Sequence, residues 1–179
     1  MTLPTRRLVS VAVLAAFAVV VAVGTALAAN PKDLLLHSSD VPSHAKRVNF
    51  GTKVGVIKLP RKVHGKAAWV AYSFKNGRST EVVISAAGVV SNTRDARAAY
   101  RYMKKKVSSP IYRLVRVPNY GDEQYAAGVS NKTTSVAFVL ARSGTTIWET
   151  AVTSFPGFSK AKLVSQLEKY AAKAKSRAT

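Results

Sequence analysis

Two apolar runs, Ala67–Phe74 and Ser79–Ala87, stand on either side of Lys75-Asn76-Gly77-Arg78. This stretch limits the fold more than any other. Alternating apolar runs joined by an Asn-Gly pair read as a β-hairpin, because a tight two-residue turn needs positive φ. Side-chain alternation puts Trp69, Ala71 and Ser73 on one face of the first strand and Val70, Tyr72 and Phe74 on the other. The second strand divides Val82, Ile84 and Ala86 from Glu81, Val83 and Ser85 in the same way.

A helix follows at Ser91–Val107. Asn92 or Thr93 suits its cap, and Asp95 lies favourably in its first turn. Ala96, Tyr100, Met103 and Val107 repeat at helical spacing and predict a buried stripe. Beyond Ser108-Ser109-Pro110, the run Ile111–Val117 reads as a strand. Pro118–Glu123 reads as a turn, and Glu123–Ser130 as a weaker strand. Thr133–Ala141 is apolar on both faces, which predicts a strand covered on both sides. Arg142-Ser143-Gly144 turns it into a partner strand, Thr145–Ser154. Pro156-Gly157 breaks the chain, and Ser159 caps a last helix over Lys160–Lys175. Its stripe is Leu163, Val164, Leu167, Tyr170, Ala171 and Ala174. Upstream, Asn30–Pro42 reads as a short helix ending in a loop. One short strand is expected at Val54–Leu59, with a basic loop between Pro60 and Gly65. Short turns between neighbouring strands imply a mainly antiparallel sheet with amphipathic helices on it, an α+β fold.

The first 29 residues belong to another class. Arg6 and Arg7 precede a charge-free run from Leu8 to Ala29, ending in Ala26-Leu27-Ala28. A basic start, an apolar run and a small-x-small pattern describe a secretory signal peptide cleaved after Ala28. The run has 22 residues, long enough for an uncleaved membrane anchor as the alternative. Both readings place residues 29–179 outside the cytoplasm as one domain. Cysteine is absent, so no disulfide framework, lipid-modified Cys or thiol nucleophile is available. The domain must rest on its own core, and about 150 residues suffices.

Without the signal segment, 26 Lys and Arg face 8 acids, a formal +18. No acid lies between Asp40 and Glu81, where nine bases fall, among them Lys46, Arg47, Arg61 and Lys62. A second cluster comprises Arg94, Arg97, Arg101, Lys104, Lys105 and Lys106, met only by Asp95. A field of one sign concentrates anionic partners. Outside a cell these are lipid headgroups or phosphate- and carboxylate-bearing wall polymers; nothing here points to specific nucleic-acid recognition. The bland alternative is a solvated basic surface.

Little else suggests chemistry. His37, His44 and His64 lack metal-ligand spacing, and no cofactor motif is present. His37-Ser38-Ser39-Asp40 contains the residue types of a triad. Adjacent residues do not form that geometry, and a Ser/Asp/Pro loop explains them. A secreted hydrolase using His44 or His64 as base stays open as an alternative, as does a structural partner of another envelope protein. Asn131-Lys132-Thr133 matches the glycosylation acceptor pattern by chance. Asp122 and Glu123, the only adjacent acids, follow Gly121. On an extended segment they would point to opposite faces, so they are not expected to address one substrate together.

Three segments carry a resemblance: Asp33–Ser43 (DLLLHSSDVPS), Gly121–Gly128 (GDEQYAAG) and Val136–Val152 (VAFVLARSGTTIWETAV), followed by the last helix. Together they resemble actinobacterial exported domains and the extracellular sensor domain of PknH-type mycobacterial kinases. The resemblance implies a PsbP-like α/β sandwich and a ligand-binding or interaction module without known catalysis. Its matching residues here are Gly121, Asp122, Glu123, Arg142 and Gly144. Unlike many such proteins, this chain has no lipid-modified Cys. The expectation is therefore a non-enzymatic exported binding or sensor-like module for an anionic envelope component or small ligand. Lys46, Arg47, Arg61, Lys62, Arg97, Arg101 and Lys104 would supply the charge.

Overall fold

A computed structural model describes the backbone of residues 30–58 and 62–178 and the side chains of 30–52 and 63–177. Residues 1–28, read above as a signal peptide or anchor, lie outside these residues. Seven strands form one antiparallel sheet: β1 (Lys46–Lys58), β2 (Lys62–Asn76), β3 (Ser79–Val90), β4 (Arg113–Leu114), β5 (Glu123–Ser130), β6 (Ser135–Ser143) and β7 (Thr146–Phe155). Their spatial order is β1-β2-β3-β7-β6-β5-β4. Helix α1 (Thr93–Val107) covers one face and helix α2 (Lys160–Ala178) the other. The fold is α+β, as the strand and helix periodicities require.

The hairpin forms with its turn one residue later than the Asn-Gly rule places it. Asn76 pairs with Ser79, leaving Gly77 and Arg78 in the turn, with Gly77 at φ 60°. Glycine in the first of two turn positions serves a type II′ connection. The face assignment of both strands survives, because the pairing still opposes Trp69 to Ala86 and Tyr72 to Val83.

Three expectations need correction. Lys62–Gly65 is not a loop: it pairs with Gly55–Lys58, so the first hairpin extends much further than Val54–Leu59. Asn30–Pro42 is a chain of turns ending in one 3-10 turn at Ser38–Asp40. Leu34, Leu35 and Leu36 are all buried. In a helix three successive residues fan out by about 100° each, so an irregular chain buries all three where a helix cannot. Ile111–Val117 yields only the two-residue β4. It sits at the sheet edge with one neighbour, and Ile111 and Leu114 face solvent.

The α2 face is one continuous core. Leu163, Leu167, Tyr170, Ala171 and Ala174 pack on Val70, Tyr72, Val83, Val139, Trp148 and Val152, with Leu34–Leu36 closing one side. Burying each large side chain stabilises by about 1.5–3 kcal/mol. The Leu36 N–H donates to Ser85 Oγ at 3.2 Å, and the Tyr72 hydroxyl donates to the Leu36 carbonyl at 3.3 Å. The Leu34–Leu36 segment is thereby pinned to the sheet.

Candidate functional site

On the other face, paired strands align side chains into rows. One row reads Tyr125, Leu140, Glu149, Ala86, Trp69, Gly51; the next reads Leu114, Ala127, Phe138, Ala151, Ile84, Ala71. Helix α1 is held here by its apolar stripe, Ala96, Ala99, Tyr100, Met103 and Val107. Asn92 caps it, accepting from the Asp95 N–H at 2.9 Å. Its orientation follows from two contacts toward β5: Arg97 Nε lies 3.8 Å from Glu123 Oε1, and Lys104 Nζ lies 5.4 Å from the centre of the Tyr125 ring. The Arg97 and Lys104 side of the helix therefore overlooks β5, with Arg101 between them in sequence and also exposed.

Lys46 and Arg47 are exposed on β1, the opposite edge of the sheet. Four strands separate β1 from β5, roughly 20 Å or more at the usual strand spacing. The two basic groups therefore do not form one surface. Arg61 and the Lys62 side chain lie outside the described residues.

The Gly121-Asp122-Glu123 motif does converge with Arg142 and Gly144. The Arg142 side chain is 2 % exposed, although it is a guanidinium in a strand of apolar neighbours. Its Nε donates to Glu123 Oε1 at 2.9 Å; its Nη1 donates to the Gly144 carbonyl at 2.9 Å and lies 2.9 Å from Asp122 Oδ2. The Gly144 N–H donates to the same Asp122 oxygen at 3.0 Å, and the Asp122 N–H donates to the Arg142 carbonyl at 2.8 Å. Two consecutive carboxylates thus address one cation, against the alternation argument. Strand geometry begins only at Glu123; Asp122 still belongs to the bend, so its side chain is free to turn back. Gly121 is required for the approach, since a Cβ there would lie 2.5 Å from the Arg142 carbonyl. Gly144 supplies φ 56° at the β6–β7 turn. The Gly144 N–H, and after it Arg142, hold the Asp122 carboxyl below its ordinary range. Bonded to the motif through Nε and Nη1, Arg142 acts as a brace between the start of β5 and the β6–β7 turn.

Glu149 is the residue sequence reasoning passed over. It projects to the α1 face between Ile147 and Ala151 and is 5 % exposed; Oε2 has no hydrogen-bond partner. Burial pushes its carboxyl up to about 8, so it is largely protonated at neutral pH. The apolar residues of this face fall into two clusters, one holding Leu140 and Ile147, the other Ala151 and Phe138. Glu149 sits at the seam between them. Beside it Tyr112 packs edge-on to Phe138, ring centres 5.4 Å apart, and Tyr125 tilts against the same ring at 5.9 Å. Burial, and secondly the Glu149 charge, raises the Tyr112 phenol. One signal was available in the sequence: in Ile147-Trp148-Glu149-Thr150-Ala151, a strand apolar on both faces carries a carboxylate that folding must bury.

The remaining candidates are accounted for locally. Trp148 and Tyr72 belong to the α2-face core. The half-buried Trp69 ring lies against Gly51, where a Cβ would overlap it. His44 Nε2 meets the Lys75 carbonyl at 2.9 Å, and its ring stands edge-on to Phe74. Arg177 reaches both His37 and Asp40, tying that loop to the end of α2. Asn131 Oδ1 accepts from the Thr133 and Thr134 N–H groups, an Asx-type turn. Among the described residues no three His, Cys, Asp or Glu side chains are grouped to hold a metal ion. Nor is any described helix long and apolar enough to cross a membrane.

No protein-family model, no curated protein and no solved structure matches this chain.

Proposed function

We propose that this chain is an exported, non-catalytic binding module that engages an anionic component of the cell envelope through the exposed side of α1. The observation that carries this is the stripe Arg97, Arg101, Lys104, exposed along one helix face and continued by Lys105 and Lys106. Glu123, the carboxylate this stripe reaches, is already bonded to Arg142. Like charges at this spacing disfavour an isolated helix, and their field attracts phosphate or carboxylate groups. Lys104 lies over the half-buried Tyr125 ring. The three terminal lysines also complement the helix dipole, but Arg97 and Arg101 lie outside that last turn.

The test is co-sedimentation with vesicles rich in an anionic phospholipid, and with an anionic wall polymer, across about 20 to about 500 mM salt. Binding is expected at low salt and should weaken steeply as salt rises. Replacing Arg97, Arg101 and Lys104 by Ala should remove most of it, whereas Lys46→Ala with Arg47→Ala should change it little. Absence of binding at low salt overturns the reading.

A further inference from the structure

Among the described residues, four large apolar side chains are exposed: Val48, Phe50, Ile111 and Leu114. Single exposed aliphatics are ordinary on a protein surface, so their placement decides whether they matter. Leu114, 72 % exposed, pairs with Ala127 and heads the row that runs on through Phe138. It therefore projects to the α1 face, just outboard of β5. The residues after it agree. Val115 and Val117 pack against the α2-face core, so alternation turns Leu114 and Arg116 to the α1 side. Pairing continues past β4, since the Val115 N–H donates to the Ala126 carbonyl at 3.2 Å. That register carries Arg116 toward Tyr125, the ring beneath Lys104. Leu114 and Arg116 thus stand beside the stripe Arg97, Arg101, Lys104. Ile111, 63 % exposed, lies in the connection that leaves the Lys104–Lys106 end of α1. Tyr112 packs on Phe138 and ties that connection to the same face. The β1 pair is placed differently. Phe50 pairs with Val70, a residue of the α2-face core, and the Arg47 guanidinium lies 5.2 Å over its ring.

We propose that this edge is where the chain docks on an anionic lipid bilayer: Leu114 and Ile111 enter the boundary between headgroups and acyl chains, while Arg97, Arg101, Lys104 and Arg116 pair with lipid phosphates. The inference rests on the reading of the α1 stripe as an anion-binding face, and it names the anion as a membrane surface. Two kinds of anionic partner differ in what they offer. A polymer of phosphates or carboxylates satisfies the cations alone and gives an exposed leucine and isoleucine nothing to bury against. A bilayer supplies headgroup phosphates and, within about 5–10 Å of them, hydrocarbon. Lys and Arg suit that boundary, because their stems lie along apolar material while their charged ends stay with the headgroups. Aliphatic burial and charge pairing then act on one face of the molecule at once. A second copy of this chain is disfavoured as the occupant, since two such edges would bring like charges together.

The chain has no cysteine, so one introduced cysteine reports one position. Leu114→Cys and Phe50→Cys are each labelled with a nitrobenzoxadiazole dye and mixed with vesicles of phosphatidylglycerol and phosphatidylcholine. At position 114 the emission should rise and shift to the blue, and lipids carrying a nitroxide on the acyl chain should quench it. At position 50 neither response is expected. Both labelled chains share the same N-terminal apolar run, so a difference between the two positions reports the edge and not that run. Soluble polyphosphate should bind the stripe without changing the dye at 114. In the unlabelled chain, Ile111→Ser with Leu114→Ser should weaken vesicle binding about tenfold or more. Its salt dependence and its polyphosphate binding should stay as in the native chain, because no charge is removed. Circular dichroism should show it folded, since both side chains are exposed. A silent dye at position 114, an equal response at position 50, or undiminished vesicle binding by the folded double variant overturns the proposal. Binding of polyphosphate but not of vesicles at low salt overturns the bilayer and leaves the stripe reading standing; binding of neither overturns both.

Discussion

The two faces of the sheet are built differently. Under α2 the core is one unbroken cluster, closed by a helix of 19 residues and by Leu34–Leu36. Under α1 the helix has 15 residues and the apolar surface is split. Each face contains a buried glutamate, and these differ too. Glu81, beneath α2, accepts from the Asn76 amide through Oε1 and leaves only Oε2 unbonded. Its charge adds to the burial that raises Tyr170 to about 12. Glu149 has apolar neighbours on both adjoining strands. Unbonded buried atoms occur on both faces, on Glu81, Trp148 and Tyr170 beneath α2 and on Glu149 beneath α1, so the faces differ in the continuity of their apolar clusters and in the surroundings of their glutamates.

The largest effect should come from the closed face. Leu167→Ala is expected to cost about 3–5 kcal/mol and Met103→Ala about 2–3 kcal/mol, read from denaturant unfolding. Equal losses, or a larger one at Met103, would break the comparison. Next comes the brace. Arg142→Met should cost about 2–3 kcal/mol, less than a fully buried pair, because Glu123 and Asp122 keep 29 % and 55 % exposure. An unchanged midpoint would show that the brace contributes nothing.

Glu149→Leu should act in the opposite direction and stabilise by about 1–3 kcal/mol, since it removes a buried group without a partner. Glu149 also sets a pH slope. The folded chain keeps its proton up to about 8 while the unfolded chain releases it near 4.5. The folded state therefore binds more protons between these values, and stability should fall as pH rises across that window. In Glu149→Gln this component should vanish; a slope identical to the native one would remove Glu149 as its source.

The smallest effect belongs to Asp122, whose carboxyl is held below its ordinary value of 3.8. Its stabilisation is present above the unfolded value and is lost as pH falls through the folded one. Asp122→Asn should flatten the acid limb of a pH–stability curve slightly; a steeper acid limb would contradict the geometry.

Much of this molecule was legible because local periodicity and burial agree. The stripes of both helices, the long hairpin and the doubly covered β6 follow from residue spacing, and packing honours them except at Val164, which stays half-buried outside the core. The failures share a cause. Lys62–Gly65 is polar and Gly-containing, yet β1 supplies backbone partners that no local pattern announces. Ile111–Val117 has strand composition, but an edge position gives it one neighbour and little to bury. The candidate site was legible only in part. The basic stripe on α1 is visible as helical spacing, whereas its separation from Lys46 and Arg47 depends on strand order.

By itself the sequence determined the two long helices, the Ala67–Ala87 hairpin and the β6–β7 pair, the sign of the net charge and the absence of any cysteine chemistry. Tertiary structure decided which polar groups meet. Gly121-Asp122-Glu123 and Arg142 lie about twenty residues apart and become one network only because β5 and β6 pair Glu123 with Arg142. Glu149 is an ordinary acid in the chain; β3, β6 and α1 together exclude water from it. Backbone pairing brings distant groups within hydrogen-bond range, and the neighbours it brings set whether a charge is satisfied or stranded.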